Sequence, residues 1–144
     1  MQKKHSFRSS HSFLLAAFLF FSAVVSPTSF ATEPLVDPQP IAVPKGMSMA
    51  DVRKAIRVGG SRRNWIVTRE EPGKLELTLN VRKHVAKVEV AYDTQKIQIR
   101  YLDSTNLDYR IKKGVPHIHD KYLGWVNKNL SGDISRELIA DSAQ

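Results

Sequence analysis

The chain has 144 residues, no cysteine and a formal net charge of +8 at pH 7. Without cysteine it can form neither a disulfide nor a lipid anchor on a lipobox cysteine, and a chain of this length favours one domain with one core. The basic excess is scattered, which is compatible with simple solubility or with attraction to an acidic surface.

The first 31 residues are predicted to form a secretory signal peptide. Lys3, Lys4 and Arg8 make a basic start, the apolar run 13–25 follows, and small residues lead to Ala31. This order is typical of a signal that is cleaved, here after Ala31. The apolar run is shorter than the about 20 residues of an ordinary membrane span. We therefore expect a periplasmic protein without a lipid anchor, with an uncleaved membrane anchor as the alternative.

Residues 32–46 contain four prolines and are predicted to form an extended tether. Proline fixes φ and lacks a backbone donor, so a helix or a central strand is disfavoured here. The tether is expected to hold the folded domain, residues 47–140, at a distance from the N-terminus. Residues 141–144 are expected to fray.

The first helix is predicted to begin after Gly46, with Ser48 as its N-cap and Asp51 completing a capping box. Gly59-Gly60 is expected to end or loosen it. One helix face is apolar and the other is cationic. The basic residues that form a possible binding surface are Arg53, Lys54, Arg57, Arg62, Arg63, Arg82 and Arg100.

Four runs with strand character follow, at 64–70, 74–82, 84–93 and 96–103. Apolar and polar residues alternate in three of them, and short turns join the runs. This pattern predicts an antiparallel meander with one buried, apolar face and one solvent-exposed, polar face.

The last helix is predicted to begin near Pro116, because proline suits a first helical turn. Asp120 would lie near the positive end of the helix dipole. The fold class is therefore α+β, with two layers: a four-stranded antiparallel meander covered on one face by an N-terminal and a C-terminal helix, in the order α-β-β-β-β-α. The largest core residues are expected to be Trp65, Tyr92, Tyr101, Tyr122 and Trp125.

Two histidines, His117 and His119, lie two residues apart at this helix start. On a helix they diverge by about 200°, so a shared metal ion is not expected, and no cofactor is implied. His119 falls on the apolar face, where a buried imidazole needs hydrogen-bond partners. Asp103 and Ser104, at the end of the fourth strand, are predicted to hold the ring in a structural polar lock and to fix its tautomer.

A small hydrolase or a metal-binding protein that uses His119 is the alternative. Ser104, His119 and either Asp103 or Asp108 are the residue types of a catalytic triad. Asp103 and Ser104 are sequence neighbours, however, and can hardly flank the imidazole on opposite sides. The chain also lacks a G-x-S-x-G elbow. We therefore expect no catalytic residue.

A larger pattern extends over residues 49–134. It consists of Trp65, Gly73, Arg82, His84, the segments VEVAYD and IRYLDSTNLDY, and then Ile118, His119, Tyr122, Trp125, Val126 and Leu130. In this order the chain resembles an uncharacterised family of small proteobacterial secreted proteins and lipoproteins. The resemblance implies an envelope location and the α+β fold, and it implies no activity. Leu123 stands where the family usually has an asparagine, and the lipid-anchor cysteine of many members is absent.

These observations favour an exported, non-enzymatic binding or accessory module. Its partner is expected to be an unknown envelope protein or an anionic envelope component. Polyanion binding at the membrane surface, to anionic lipid or lipopolysaccharide, is the second hypothesis and uses the basic residues named above. Nucleic acid is disfavoured, because of the export signal and because the last helix does not begin with a lysine cluster. The sequence predicts no oligomeric state.

Overall fold

The structure is a computed structural model and describes residues 31–143. The signal peptide prediction lies outside the described residues, apart from Ala31. Helices and antiparallel strands combine in one chain, so the α+β class is confirmed. The elements are β1 (Thr32–Pro34), β2 (Ile41–Ala42), α1 (Met49–Ser61), β3 (Ile66–Glu71), β4 (Lys74–Val81), β5 (His84–Tyr92), β6 (Lys96–Thr105), β7 (Arg110–Lys112), β8 (Val115–His119), α2 (Asp120–Leu123), a π-helix (Gly124–Leu130) and α3 (Ser131–Ser142).

Strands β3 to β6 form the predicted antiparallel meander. Burial alternates along it as the sequence indicates. Leu75, Val88 and Ile99 are fully buried, whereas Glu76 and Glu89 on the other face are partly exposed. The alternation of apolar and polar residues along each strand therefore determines which face of the sheet is buried.

The prediction of a single four-stranded sheet is wrong. β2 adds a fifth strand beside β6, in the order β2-β6-β5-β4-β3, and a separate three-stranded sheet has the order β1-β8-β7. In the second sheet Pro34 lies opposite His117, and His117 lies opposite Arg110. These pairings join segments that are far apart in the chain, and local periodicity does not reveal them.

The proline-rich segment 32–46 is extended, as expected, but it is not a free tether. Its two ends pair as β1 and β2 with β8 and β6. Between them the Asp37 carboxylate accepts a hydrogen bond from the Tyr101 N–H at 2.8 Å. The Val36 carbonyl accepts one from the Asn127 side chain at 2.9 Å. The segment is thus part of the folded unit rather than a spacer outside it.

Helix α1 begins as predicted. The Ser48 Oγ accepts a hydrogen bond from the Asp51 N–H, and the Asp51 carboxylate accepts one from the Ser48 N–H, so the capping box is complete. Gly59-Gly60 does not end the helix. A Cβ on Gly59 would lie 2.8 Å from the backbone of Ile134, so this glycine allows α1 and α3 to pack closely.

The C-terminal helix begins at Asp120 rather than near Pro116. Pro116 lies in β8, which pairs on both sides, and His119 is the N-cap of α2. The π-helix and α3 follow directly. Because α3 extends to Ser142, residues 141 and 142 belong to the helix and not to a frayed tail.

The sheet and the helices share one core. Trp65, Tyr92 and Tyr122 are buried in it, as predicted, whereas Tyr101 and Trp125 are half-buried. Truncation of a buried aromatic side chain costs about 3–5 kcal/mol, so these rings are major contributors to stability. The partial exposure of Trp125 leaves part of its indole at the surface.

Candidate functional site

His119 is buried, with 3% of its surface exposed. Its Nδ1 lies 3.2 Å from the Lys121 N–H, as an N-cap acceptor, and 2.6 Å from the Asp120 carboxylate. The first contact needs a lone pair on Nδ1 and the second needs a proton there, so one tautomer cannot satisfy both. The contact with Asp120 is shorter and charge-assisted, which favours a proton on Nδ1.

Asp103 and Ser104, which were predicted to hold the His119 ring in a polar lock, also contact other residues. The Asp103 carboxylate accepts a hydrogen bond from the Ser104 N–H at 2.8 Å. The Ser104 hydroxyl lies 2.9 Å from the Tyr101 hydroxyl. Asp103 also lies 3.8 Å from the Lys87 ammonium on β5. Nδ1 of His119 contacts the start of its own helix.

A shallow groove of about 600 Å³ surrounds Asp103 and Ser104. Tyr101 and Tyr109 stack in its wall with ring centroids 4.9 Å apart. His119 is not among its lining residues. The groove therefore brings a serine and carboxylates together without the imidazole that a triad mechanism requires.

The predicted divergence of His117 and His119 is wrong, because both lie on β8 and residues two apart in a strand share a face. The His119 ring is 6.3 Å from the ring of His84, centroid to centroid, and His84 is 6.3 Å from the ring of Trp125. Within residues 31–143, no group of three or more His, Cys, Asp or Glu side chains is placed to hold a metal ion.

The basic residues of α1 and the turn after it are matched by acidic partners. The ion pairs are Arg53–Glu70, Lys54–Asp141, Arg57–Glu70, Arg62–Glu137 and Arg63–Asp133. Arg82 and Arg100 make no ion pair with any residue of the described range. The candidate surface is therefore less cationic than its sequence indicates, and its charge is unevenly distributed.

A cleft of about 480 Å³ lies where the end of α1, the start of β3, the β4–β5 turn and the π-helix meet. We call it the tryptophan cleft. Its lining includes Trp65, Trp125, Asn64, Asn80, Asn129 and Arg82. This volume is within the about 300–1,000 Å³ that is usual for small-molecule sites.

Two residues at the rim of this cleft have unusual backbone conformations. Asn64 has φ of 63° and Arg82 has φ of 55°. The left-handed region costs a side chain such as arginine about 1–2 kcal/mol, and such strain is concentrated at functional sites. The π-helix that carries Trp125 and Asn129 is a second rare feature, and π-helical segments within α-helices are frequent at functional sites. Both features aim side chains at one cleft.

Trp65 forms part of the cleft and is 4% exposed. Its backbone N–H donates to the Gly60 carbonyl at 3.1 Å, which fixes the chain at the end of α1. Its indole Nε1–H is buried and has no partner among the described residues. A buried donor without a partner costs about 1–3 kcal/mol, so an acceptor that reached it would gain a hydrogen bond that the protein does not supply.

The charged residues that line the cleft are basic. They are Arg62, Arg63 and Arg82, and no carboxylate of residues 31–143 is part of the lining. Arg62 forms an ion pair with Glu137 of α3, and Arg63 forms one with Asp133 of the same helix. These ion pairs hold two guanidinium groups at the rim, whereas Arg82 makes no ion pair within residues 31–143.

The structure divides the seven basic residues of the predicted surface. Arg62, Arg63 and Arg82 line the tryptophan cleft, whereas Arg53, Lys54 and Arg57 line a different groove with Glu70. Arg100 lies at a third position on the sheet. Sequence analysis placed Trp65 and Trp125 in the core and did not single out the three asparagines, which become a group only when β3, β4 and the π-helix are brought together.

No family model, curated protein or solved structure matches the chain. The resemblance to the secreted proteobacterial family therefore stays a prediction, and function is argued from the site.

Proposed function

We propose that the protein is an exported, non-enzymatic binding module of the cell envelope and that the tryptophan cleft holds its ligand. The observation that carries the proposal is the meeting of two indoles, three amides and three guanidinium groups in one concave site. Such a site combines an apolar wall with a few convergent polar groups, which is the usual composition of a ligand pocket.

The export part of the proposal rests on the basic start, the apolar run and the small residues before Ala31. These residues precede the described part of the chain. Within residues 31–143, no helix is long and apolar enough to cross a membrane. The periplasmic location of the folded domain is proposed from the N-terminal sequence alone.

The chemistry of the lining supports binding rather than catalysis. General acid–base catalysis uses groups that change protonation near the working pH, and covalent catalysis uses an activated nucleophile. The lining residues offer guanidinium, amide and indole groups and two aliphatic side chains. These groups recognise and orient a ligand, and they neither accept a proton nor attack a substrate near neutral pH.

Intrinsic fluorescence tests the proposal, because the chain has two tryptophans and both line the cleft. The mature protein is titrated with a muropeptide, glycerol phosphate, a neutral oligosaccharide and an oligouronide. At least one probe is expected to change the emission with saturation. The variant Asn80→Ala is expected to weaken that response, while Arg100→Ala, on the sheet away from the cleft, keeps it. No change in tryptophan emission with any of the four probes would contradict the proposal. So would binding by Asn80→Ala that is as tight as binding by the parent protein.

A further inference from the structure

We infer that the ligand of the tryptophan cleft is an acidic saccharide, a chain of pyranose units that carry carboxylates. The inference rests on the proposed function and adds the class of ligand to it. It follows from three properties of the lining that act together: its charge, the hydrogen-bonding character of its amides and its aromatic surface.

The charge of the lining favours an anionic ligand. Three arginines and no carboxylate of residues 31–143 line the cleft, and because Glu137 and Asp133 offset the charge of Arg62 and Arg63, the net positive charge is that of Arg82. A guanidinium group presents a planar fork of donors that matches a carboxylate in bidentate geometry. Arg82 has no ion pair within residues 31–143, so its donors are available to a ligand.

The amides distinguish a saccharide from a simple anion. The side chains of Asn64, Asn80 and Asn129 make no hydrogen bond to another residue of the described range. Each amide offers donors and an acceptor, and a hydroxyl also offers both. Sulfate or a phosphodiester has acceptors only and would leave the amide oxygens without partners. Vicinal hydroxyls on a sugar ring satisfy both ends of each amide.

The aromatic surface suits a sugar ring. Trp125 is half-buried and lines the cleft beside the buried Trp65. The face of an indole carries partial negative charge, and the C–H groups on one side of a pyranose carry partial positive charge. A ring that stacks on the indole therefore directs its hydroxyls and its carboxylate outward, toward the asparagines and Arg82.

The test compares three probes of similar size by tryptophan fluorescence and calorimetry on the mature protein. They are a linear galacturonic acid trimer, the neutral galactose trimer of the same linkage and triglutamate. The acidic trimer is expected to bind about tenfold more tightly than either of the others. Added salt is expected to weaken its binding, because the carboxylate contacts are partly exposed to solvent.

Matched variants separate the contributions. Arg82→Ala is expected to weaken binding of the acidic trimer about tenfold, whereas Arg100→Ala, which also removes an arginine without an ion pair, leaves it unchanged. The isosteric change Asn129→Asp puts a negative charge in the cleft, so it is expected to weaken the acidic trimer more than the neutral one. Circular dichroism confirms that each variant is folded.

The outcomes distinguish this inference from the proposed function. Equal affinity for the neutral trimer, or no effect of Arg82→Ala, would overturn the acidic preference and leave the cleft as a binding site. Equal or tighter binding of triglutamate would replace the saccharide by an acidic peptide. If no probe of this set or of the wider panel changes the tryptophan emission, both the inference and the proposed function fail.

Discussion

The backbone of Ile134 lies 2.8 Å from the position that a Cβ on Gly59 would occupy, so α1 and α3 meet backbone to backbone at this point. The contact brings Arg62 and Arg63, just beyond α1, against Glu137 and Asp133 of α3. The close approach of the two helices therefore also fixes two arginines of the tryptophan cleft.

A methyl group at Gly59 is expected to destabilise the protein. Gly59→Ala forces the two helices apart, and overpacking of this kind costs about 1–3 kcal/mol despite the better helix propensity of alanine. Gly124→Ala is the control, because a Cβ there meets no atom of residues 31–143 within 4 Å. It is expected to be neutral or to stabilise by up to about 1 kcal/mol. Urea unfolding followed by circular dichroism measures both, and equal stability of the two variants would contradict the packing.

Two tyrosines are expected to respond in opposite ways to loss of their hydroxyl. The buried Tyr122 hydroxyl has no partner among the described residues, and burial raises the pKa of this phenol well above its usual range. Tyr122→Phe removes an unpaired polar group and is expected to stabilise by about 1 kcal/mol. Tyr101→Phe loses the hydrogen bond to Ser104 and is expected to destabilise by about 0.5–1.5 kcal/mol. Urea denaturation of both variants decides; destabilisation by Tyr122→Phe would point to a partner for that hydroxyl.

The ion pairs of Arg62 and Arg63 with α3 are expected to contribute more to the free energy of unfolding than the pair between Arg53 and Glu70. The Asp133 side chain is 3% exposed where it meets Arg63, whereas the Glu70 side chain is 36% exposed where it meets Arg53. Arg63→Ala leaves the buried Asp133 carboxylate with Arg136 as its remaining ion-pair partner within residues 31–143 and is expected to cost about 1–2 kcal/mol. Arg53→Ala is expected to cost less than about 1 kcal/mol. Thermal and urea unfolding at neutral pH compare them, and equal losses would contradict the difference in burial.

The capping box is expected to make stability depend on acid pH. Hydrogen bonds from the Ser48 side chain and backbone hold the pKa of Asp51 below its ordinary value. A lowered pKa in the folded state stabilises the protein above the ordinary aspartate pKa of about 3.9, and this contribution is lost as the pH falls through the lowered value.

Asp51→Asn tests this dependence. The variant is expected to be less stable than the parent at neutral pH, with a difference that shrinks as the solution is acidified below about pH 4. Asp108→Asn, at a residue that makes no hydrogen bond or ion pair within residues 31–143, serves as the control. Urea midpoints across the acid range provide the measurement, and a stability difference for Asp51→Asn that does not change with pH would contradict the role of this carboxylate.

The elements that local rules govern were predictable from the sequence. The alternation around Leu75 and Val88 and the N-cap at Ser48 depend on neighbours within a few residues, and the structure confirms both. The start of the last helix was not predictable in this way. Pro116 fits a first helical turn, but pairing of β8 with β1 and β7 holds it in a strand, and these partners come from distant parts of the chain.

The tryptophan cleft was predictable only in fragments. Sequence analysis identified Arg62, Arg63 and Arg82 as exposed cations, and it treated Trp125 as a core residue. The neighbouring sequence gives no indication that Asn80 and Asn129 line a cleft, because an asparagine is common on the solvent-exposed face of a strand or on a helix. Their importance comes from the fold, which places the β4–β5 turn beside the π-helix.

The most direct test of the central claim is a ¹H–¹⁵N correlation spectrum of the indole N–H groups. The chain has two tryptophans, so two indole signals report on the cleft. On titration with the galacturonic acid trimer, both signals are predicted to shift with saturation, together with the side-chain amide of Asn129. Indole signals that do not move, with shifts confined to backbone amides near Arg53 and Arg57, would contradict the account. They would assign binding to the groove that these two arginines line with Glu70.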